Sequence, residues 1–208
     1  MPHYFETPAP GTRAPGRVRL TVAGRALDLV TDAGVFSRAQ LDPGTSVLLD
    51  VVPPPPAGGD LLDVGCGYGP IALSMAVQSP AAVVWAVDVN ERARELCAAN
   101  AAAAGAANVR VCHPDEVPAD VRFARIASNP PIRVGKEALH ELLHRWLGRL
   151  LPDGEAYLVV QKHLGSDSLQ RWLVQQGWPT DRIASRRGFR VLRCVTAAPS
   201  RQPSARPR

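Results

Sequence analysis

Residues 60–73, DLLDVGCGYGPIAL, constrain the fold of this chain more than any other stretch. Leu61 to Val64 read as a strand that runs straight into Gly65, Gly67 and Gly69, after which the helical pattern of Ile71 to Gln78 begins. Glycines at a strand-to-helix junction let the backbone turn tightly and let a ligand approach it closely. The spacing is G-x-G-x-G, and the third glycine of the dinucleotide fingerprint falls at Pro70, which disfavours a nicotinamide enzyme. The next strand, Val83 to Val87, delivers Asp88 at its tip, one β-α-β unit beyond Asp63, where a carboxylate can accept hydrogen bonds from both hydroxyls of a ribose. The competing reading is a purely structural turn, with Asp88 capping the helix that starts at Glu91.

From that junction the chain alternates. Helical Glu91 to Ala104 is followed by strands at Val109 to Cys112 and Arg125 to Ser128, helical Lys136 to Leu150 and strand-like Ala156 to Val160. Helical Ser166 to Gln176 and strands near Arg182 to Ser185 and Phe189 to Thr196 complete the pattern. Such alternation predicts an α/β fold, a mostly parallel sheet with helices on both faces and antiparallel strands at its end. Aromatic residues make up only 5% of a chain that is 46% hydrophobic, so Ala, Val and Leu must fill the interior, as they do in helix-covered parallel sheets.

Upstream, Val18 to Val22 and Arg25 to Val30 alternate apolar and polar residues around Ala23-Gly24, which predicts a short hairpin. Pro53 to Gly59, PPPPAGG, can be neither strand nor helix. We therefore divide the chain into an N-terminal hairpin and lid extension (1–52), a Pro/Gly loop (53–59), a core (60–197) and a basic tail without apolar periodicity (198–208), expected to be disordered. Cys66, Cys97, Cys112 and Cys194 form no C-x-x-C pair and are expected as buried, reduced thiols. No run of about 18 apolar residues and no leader pattern is present, so a cytoplasmic protein without a membrane partner is expected. The net charge of +5 suits an anionic partner but is weak evidence by itself.

Two motifs compete in SNPPIRVGKEALHELLHRWL, residues 128–147. His140-Glu141-Leu142-Leu143-His144 fits the H-E-x-x-H pattern of zinc proteases. Leu139, Leu142, Leu143, Trp146, Leu147 and Leu150 instead form an apolar helical stripe flanked by the two histidines, and no downstream zinc-protease extension follows. The match is read as accidental and no metal is expected.

The glycine loop resembles motif I of class I S-adenosylmethionine-dependent methyltransferases, and Asn129-Pro130-Pro131-Ile132 resembles the tetrapeptide with which some of them hold an amine. With NPPIR, GK and QKHLGS, and with HYFETPAP, TDAGVFS and LDPGT upstream, the likeness from about His3 to Val195 sharpens to the small-domain methyltransferase family. Within that family the chain is similar to the RsmC-type ribosomal RNA guanine-N2 methyltransferases, in single-domain form. The resemblance implies a Rossmann-like, seven-stranded fold with S-adenosylmethionine as cofactor. Asp63 would lie near the methionine amino group, the backbone of Gly65, Cys66, Gly67 and Gly69 near the carboxylate, Asp88 and Val89 at the ribose, and Asp115 at the adenine amino group, with Asn129 bordering the same site. For Asp115, His113 and Glu116 are competitors and a solvated loop acid is the plain alternative.

The resemblance also implies a catalytic role for Asn129, Pro130, Pro131 and Ile132: the Asn129 amide oxygen and the Pro130 carbonyl each accept one N–H of the target amine. Many relatives carry Tyr or Phe where this chain has Ile132, so base stacking must come from Phe36, Arg133 or elsewhere, with Lys136 a phosphate contact. Phe36 and Ser37, with Asp42 and Thr45, form a lid over the cofactor, or else a core cover and a helix cap. The implied function is methyl transfer to an exocyclic amine of ribosomal RNA, free or in a ribosomal subunit, most simply guanine N2. A protein glutamine amide methyltransferase and a non-catalytic RNA-binding or assembly protein on the same fold remain as alternatives.

Overall fold

The computed structural model describes residues 16–32 and 40–196. Phe36, Ser37 and the basic tail lie outside the described residues. Gly16–Val22 (β1) and Arg25–Thr31 (β2) pair antiparallel around Ala23 (φ 48°) and Gly24 (φ 79°), two positive-φ residues as the tightest hairpin turns require. The elements that follow are α1 (Pro43–Val51), β3 (Asp60–Val64), α2 (Pro70–Gln78), β4 (Val83–Val87), α3 (Glu91–Ala103), β5 (Val109–Cys112) and β6 (Phe123–Ser128). Then come α4 (Lys136–Leu147), β7 (Leu150–Gln161), α5 (Ser166–Gln175), β8 (Thr180–Arg186) and β9 (Phe189–Val195).

Strands β3 to β9 form one sheet in the order β5-β4-β3-β6-β7-β9-β8, parallel from β5 to β7 and antiparallel at β9 and β8. Alternate residues feed opposite faces. Leu62, Val64, Val87, Ile126 and Leu158 pack with Leu139, Leu143, Trp146 and Leu147 of α4 and with Leu169 and Leu173 of α5. Leu61, Val84, Ala86, Ala127 and Val159 pack on the other face with Val47 and Leu48 of α1 and Ile71, Ala72 and Met75 of α2. The expected α/β architecture is therefore the observed one.

Three local differences from the sequence reading have physical causes. Pro43–Val51 is a helix within the expected lid extension, started by Asp42 as N-cap and Pro43 in the first turn. Helix α4 stops at Leu147, and Leu150 belongs to β7. Strand β7 begins six residues earlier than Ala156 because the turn-like Leu151-Pro152-Asp153-Gly154 loops out as an irregularity where β6 shifts register between Phe123 and Arg125.

The hairpin β1–β2 packs on α2 and α3 through Val18, Leu20, Val22, Leu27 and Leu29. Asn100 of α3 fastens it: Val30 N–H donates to Asn100 Oδ1 (2.8 Å), while Asn100 Nδ2 donates to the carbonyls of Val30 and Tyr68 (both 2.9 Å). One buried amide thus ties the hairpin to the glycine loop. Arg125, also buried, donates to the carbonyls of Pro53 and Pro54 and pairs with Glu155 (3.1 Å), which anchors the Pro-rich loop to the sheet.

Candidate active site

Strand register assembles the site. Val64 at the end of β3 is paired with Val87 of β4 on one side and with Ser128 of β6 on the other. The next residues along these strands, Gly65, Asp88 and Asn129, therefore leave the sheet in one row, spaced by roughly the 4.8 Å between neighbouring strands. From β3 the chain winds outward to β4 and β5, then returns to β6 on the opposite side. The row sits where the winding reverses, at the carboxyl ends of the strands, the place where sheets of this kind bind ligands.

The loop after β3 is held by its own backbone. Gly65 N–H and Cys66 N–H both donate to Val87 O (2.8 and 3.0 Å), and Gly67 N–H donates to Asp88 Oδ2 (3.0 Å). Asn90 N–H takes the other carboxylate oxygen (2.9 Å), and α3 is capped by Asn90, not by Asp88. Gly65, Gly67 and Gly69 all have positive φ (73°, 56° and 95°). A Cβ at Gly65 would meet nothing within 4 Å, so the space in front of this turn is open, whereas one at Gly69 would lie 2.7 Å from Cys97 Sγ. Cys66 is buried beside Cys97, which together with burial raises its thiol well above the usual range and leaves it inert. Val89, just beyond Asp88, is exposed.

Asp63, behind the loop, is wholly buried. Its Oδ2 accepts Ala72 N–H (2.9 Å), and its Oδ1 has no partner. Burial pushes the carboxyl up to about 8, against the Ala72 hydrogen bond and with a smaller contribution from the nearby Asp88 charge. Tyr68 is buried too, with a hydroxyl lacking a hydrogen-bond partner; burial and the Asp42 charge raise it to about 12. An unpartnered buried carboxylate oxygen is a natural seat for a cationic group.

On the other side of the row, Ser128 Oγ donates to Val64 O (2.7 Å) and locks the end of β6 to β3. Asn129 Nδ2 then donates to Asp42 Oδ1 (2.6 Å) and Thr45 Oγ1 (3.1 Å), both at the start of α1. Asp42 Oδ1 also accepts Thr45 N–H (2.8 Å) as the helix cap. Sequence reasoning placed Asp42 and Thr45 in a lid or a cap; the cap is present, and the contact with Asn129 is the part it missed. Pro130 is buried, with its carbonyl accepting Ile132 N–H (2.8 Å), while Pro131 is exposed and its carbonyl accepts Val134 N–H (3.1 Å). Ile132 packs, half-buried, against the α4 side of the core. Arg133 lies in the single turn Ile132–Val134, and Lys136 is exposed at the first position of α4.

Asp115 stands apart at the end of β5. It is exposed and its Oδ1 accepts from Arg145 of α4 (2.7 Å), which holds it below the usual carboxylate range. The two histidines of H-E-x-x-H pack on aromatic rings instead: His140 stacks on Trp172 (3.6 Å between centroids, 8° between planes) and His144 meets Trp172 and Trp178 edge-on. Among the described residues no three His, Cys, Asp or Glu side chains gather as a metal site. At the same sheet edge as Asn129, the exposed Lys162, Arg186 and Arg187 form a basic rim, in which Lys162 N–H donates to Gly188 O (2.8 Å) and Arg187 donates to Ser46 Oγ of α1 (3.4 Å).

The methyltransferase small domain model matches residues 26–193, which covers β2 from its second residue, the whole row and the seven strands of the sheet up to Arg193 in β9. The chain belongs to this family. Among relatives, the Bacillus subtilis protein YbxB, described as uncharacterized, is 36% identical over 166 residues, 78% of this chain and 83% of its own length. Ribosomal RNA small subunit methyltransferase C of Pseudomonas aeruginosa is 32% identical over 179 residues, 84% of this chain and 53% of its own. This small-domain methyltransferase thus spans about half the length of that relative. Its fold superimposes on the Thermus thermophilus 16S rRNA N2 G1207 methyltransferase RsmC, solved with AdoMet and guanosine, at a TM-score of 0.78 with 22% identity, covering 91% of this chain and 52% of that one.

Proposed function

We propose that this small-domain methyltransferase moves the methyl group of S-adenosylmethionine to an exocyclic amino group of ribosomal RNA, with guanine N2 as the target. The observation that carries the reading is the Asn129 amide, its NH2 turned into Asp42 and Thr45 and its oxygen turned away from them, one strand from the glycine loop. The residues present fit the cofactor. The unpartnered Asp63 Oδ1 suits an ammonium group, the open space before Gly65 lets the methionine end of the cofactor come up against the Gly65–Gly69 turn at Cys66, and Asp88 retains lone pairs for ribose hydroxyls. Val89 supplies an apolar wall, and Asp115 Oδ2, which lies 3.5 Å from His113 Nδ1, is the acceptor for the adenine amino group. S-adenosylmethionine supplies its methyl on a sulfonium, whose C–S bond breaks and leaves its electron pair on sulfur as the N–C bond forms.

The chain's own contribution is orientation. The lone pair of an exocyclic amine on guanine is delocalised into the ring and is a poor nucleophile. With one N–H accepted by Asn129 Oδ1 and the other by the second lone pair of the Pro130 carbonyl, the nitrogen pyramidalises and aims its lone pair at the methyl. The same two acceptors stabilise the positive charge that grows on nitrogen, and the extra proton leaves to water afterwards. Ile132 forms the apolar wall of the base site, and Arg133, Lys136 and the rim of Lys162, Arg186 and Arg187 meet RNA phosphates. That rim, together with relatives named as ribosomal RNA methyltransferases, favours RNA over a protein glutamine.

Asn129→Ala should leave cofactor affinity within about twofold and lower turnover by about a hundredfold or more; equal loss of both would remove the assigned role. The deciding experiment is mass-spectrometric nucleoside analysis of ribosomal RNA from cells with and without the gene. Disappearance of N2-methylguanosine, restored by adding the protein to the undermethylated RNA, is the expected result, and an unchanged profile overturns the reading.

A further inference from the structure

We infer that Asp42 and Thr45 are positioning residues that fix which way the Asn129 amide faces, and thereby make it an acceptor for the substrate amine. The inference rests on the proposed function. An asparagine amide is nearly symmetric in shape, and a half-turn about its last bond exchanges an acceptor for a donor. With NH2 toward the target amine, donors would face donors and the nitrogen could not be held. Something must choose between the two orientations.

Asp42 makes that choice by chemistry. A carboxylate only accepts hydrogen bonds, so the group 2.6 Å from Asp42 Oδ1 must be the NH2 of Asn129. Thr45 Oγ1, at 3.1 Å, takes the second N–H, so both amide protons are spent inside the protein. The arrangement exceeds what a helix cap needs. Capping α1 uses only the bond from Thr45 N–H to Asp42 Oδ1, which serine would provide as well. Asp42 and Thr45 are nevertheless both buried, at 9% and 4% exposure, where an unneeded carboxylate would be costly. Gly44 shows the same economy of space: a Cβ there would lie 2.9 Å from the Phe189 ring and 3.0 Å from Asp42 Oδ1. Its absence allows the first turn of α1 to sit against β9 with Asp42 and Thr45 on Asn129. The Asp42 charge has a second effect, since a negative group behind the NH2 polarises the amide and strengthens its oxygen as an acceptor.

The test compares Asp42→Ser, Thr45→Val and Asp42→Asn in the full chain. Serine retains the cap but is one bond too short for Asn129. Asparagine retains both bonds, because Thr45 N–H selects its oxygen. Methyl transfer to ribosomal RNA from the gene-deleted strain gives kcat and KM, calorimetry gives S-adenosylmethionine affinity, and thermal unfolding reports the fold. Hydrogen exchange of the Asn129 side-chain amide, followed by NMR and assigned with Asn129→Ala, reports the clamp without any substrate. We expect Asp42→Ser and Thr45→Val each to lower kcat about tenfold or more with KM, cofactor affinity and Tm nearly unchanged, and Asp42→Asn to retain most of the activity. Asn129 amide exchange should quicken by a similar factor in Asp42→Ser. Unchanged kcat in Asp42→Ser, or a joint fall of kcat, cofactor affinity and Tm that Asp42→Asn does not rescue, overturns the inference. If the wild-type chain methylates no RNA, the proposed function fails, and the exchange measurement alone decides the clamp: slow, Asp42-dependent exchange supports it and fast exchange in the wild type overturns it.

Discussion

At the level of single residues, Asp63 carries a burial cost that its one hydrogen bond, from Ala72 N–H, offsets only in part. Its carboxyl is raised to about 8 in the folded chain against an ordinary 3.8, so between those values the native state binds a proton that the unfolded state does not. Its contribution to stability is therefore most favourable below about pH 4, declines as pH rises towards 8, and is flat beyond. Asp63→Asn keeps an acceptor for Ala72 N–H and removes the titration. It should raise Tm over the wild type at pH 8, by an amount on the order of a few kcal/mol in stability, with the gain vanishing near pH 4; a gain independent of pH would refute the assignment. The same substitution should weaken S-adenosylmethionine binding, and wild-type binding near pH 7 should release a proton, visible as a buffer-dependent enthalpy. Asp88 and Asn129 were legible in the sequence because each follows an apolar run that reads as a buried strand, and Asp63 because it interrupts such a run just before the glycine loop. The unpartnered Oδ1 was not, because it depends on what the surrounding elements fail to supply.

Among elements, the junction between β3 and α2 separates two uses of glycine. Gly69 has φ 95° and its missing Cβ would sit 2.7 Å from Cys97 Sγ on α3, so Gly69→Ala strains the backbone and pushes the helices apart. We expect a loss of about 2–4 kcal/mol in denaturant unfolding. Gly65 has φ 73° with open space before it, so Gly65→Ala should cost only about 1 kcal/mol of stability while a methyl group intrudes where the ligand approaches. A larger stability loss at Gly65 than at Gly69 would contradict this division. The sequence showed three glycines in one loop but could not tell these roles apart, since the difference lies in α3. Helix α1 was hidden for a related reason. LDPGT carries a cap and a helix-starting proline, yet its nine-residue helix follows a stretch without clear periodicity and precedes four prolines.

For the whole molecule, the basic rim joins segments that are distant in the chain: Lys162 after β7 and Arg186 and Arg187 at the β8–β9 turn reach the edge that holds Asn129. Replacing Arg186 and Arg187 by Glu should weaken RNA binding across sequences and reduce the slope of log K against log salt by about one per lost phosphate contact, with cofactor affinity unchanged. An unaltered salt slope would place the RNA elsewhere. The net charge of +5 by itself could not have located this rim, because charge counts carry no position. What the sequence alone determined was the alternation of strands and helices, the glycine turn with Asp88 one unit later, and the strand end at Asn129. Those are local patterns, set by side-chain periodicity and by backbone geometry that only glycine or proline satisfies. Tertiary structure decided that the strands order as β5-β4-β3-β6-β7-β9-β8, so that three strand ends stand in one row. It also decided that Asp42 meets Asn129 across 87 residues of chain. Hydrogen bonds of that kind join groups whose proximity follows from packing, and no local pattern encodes them.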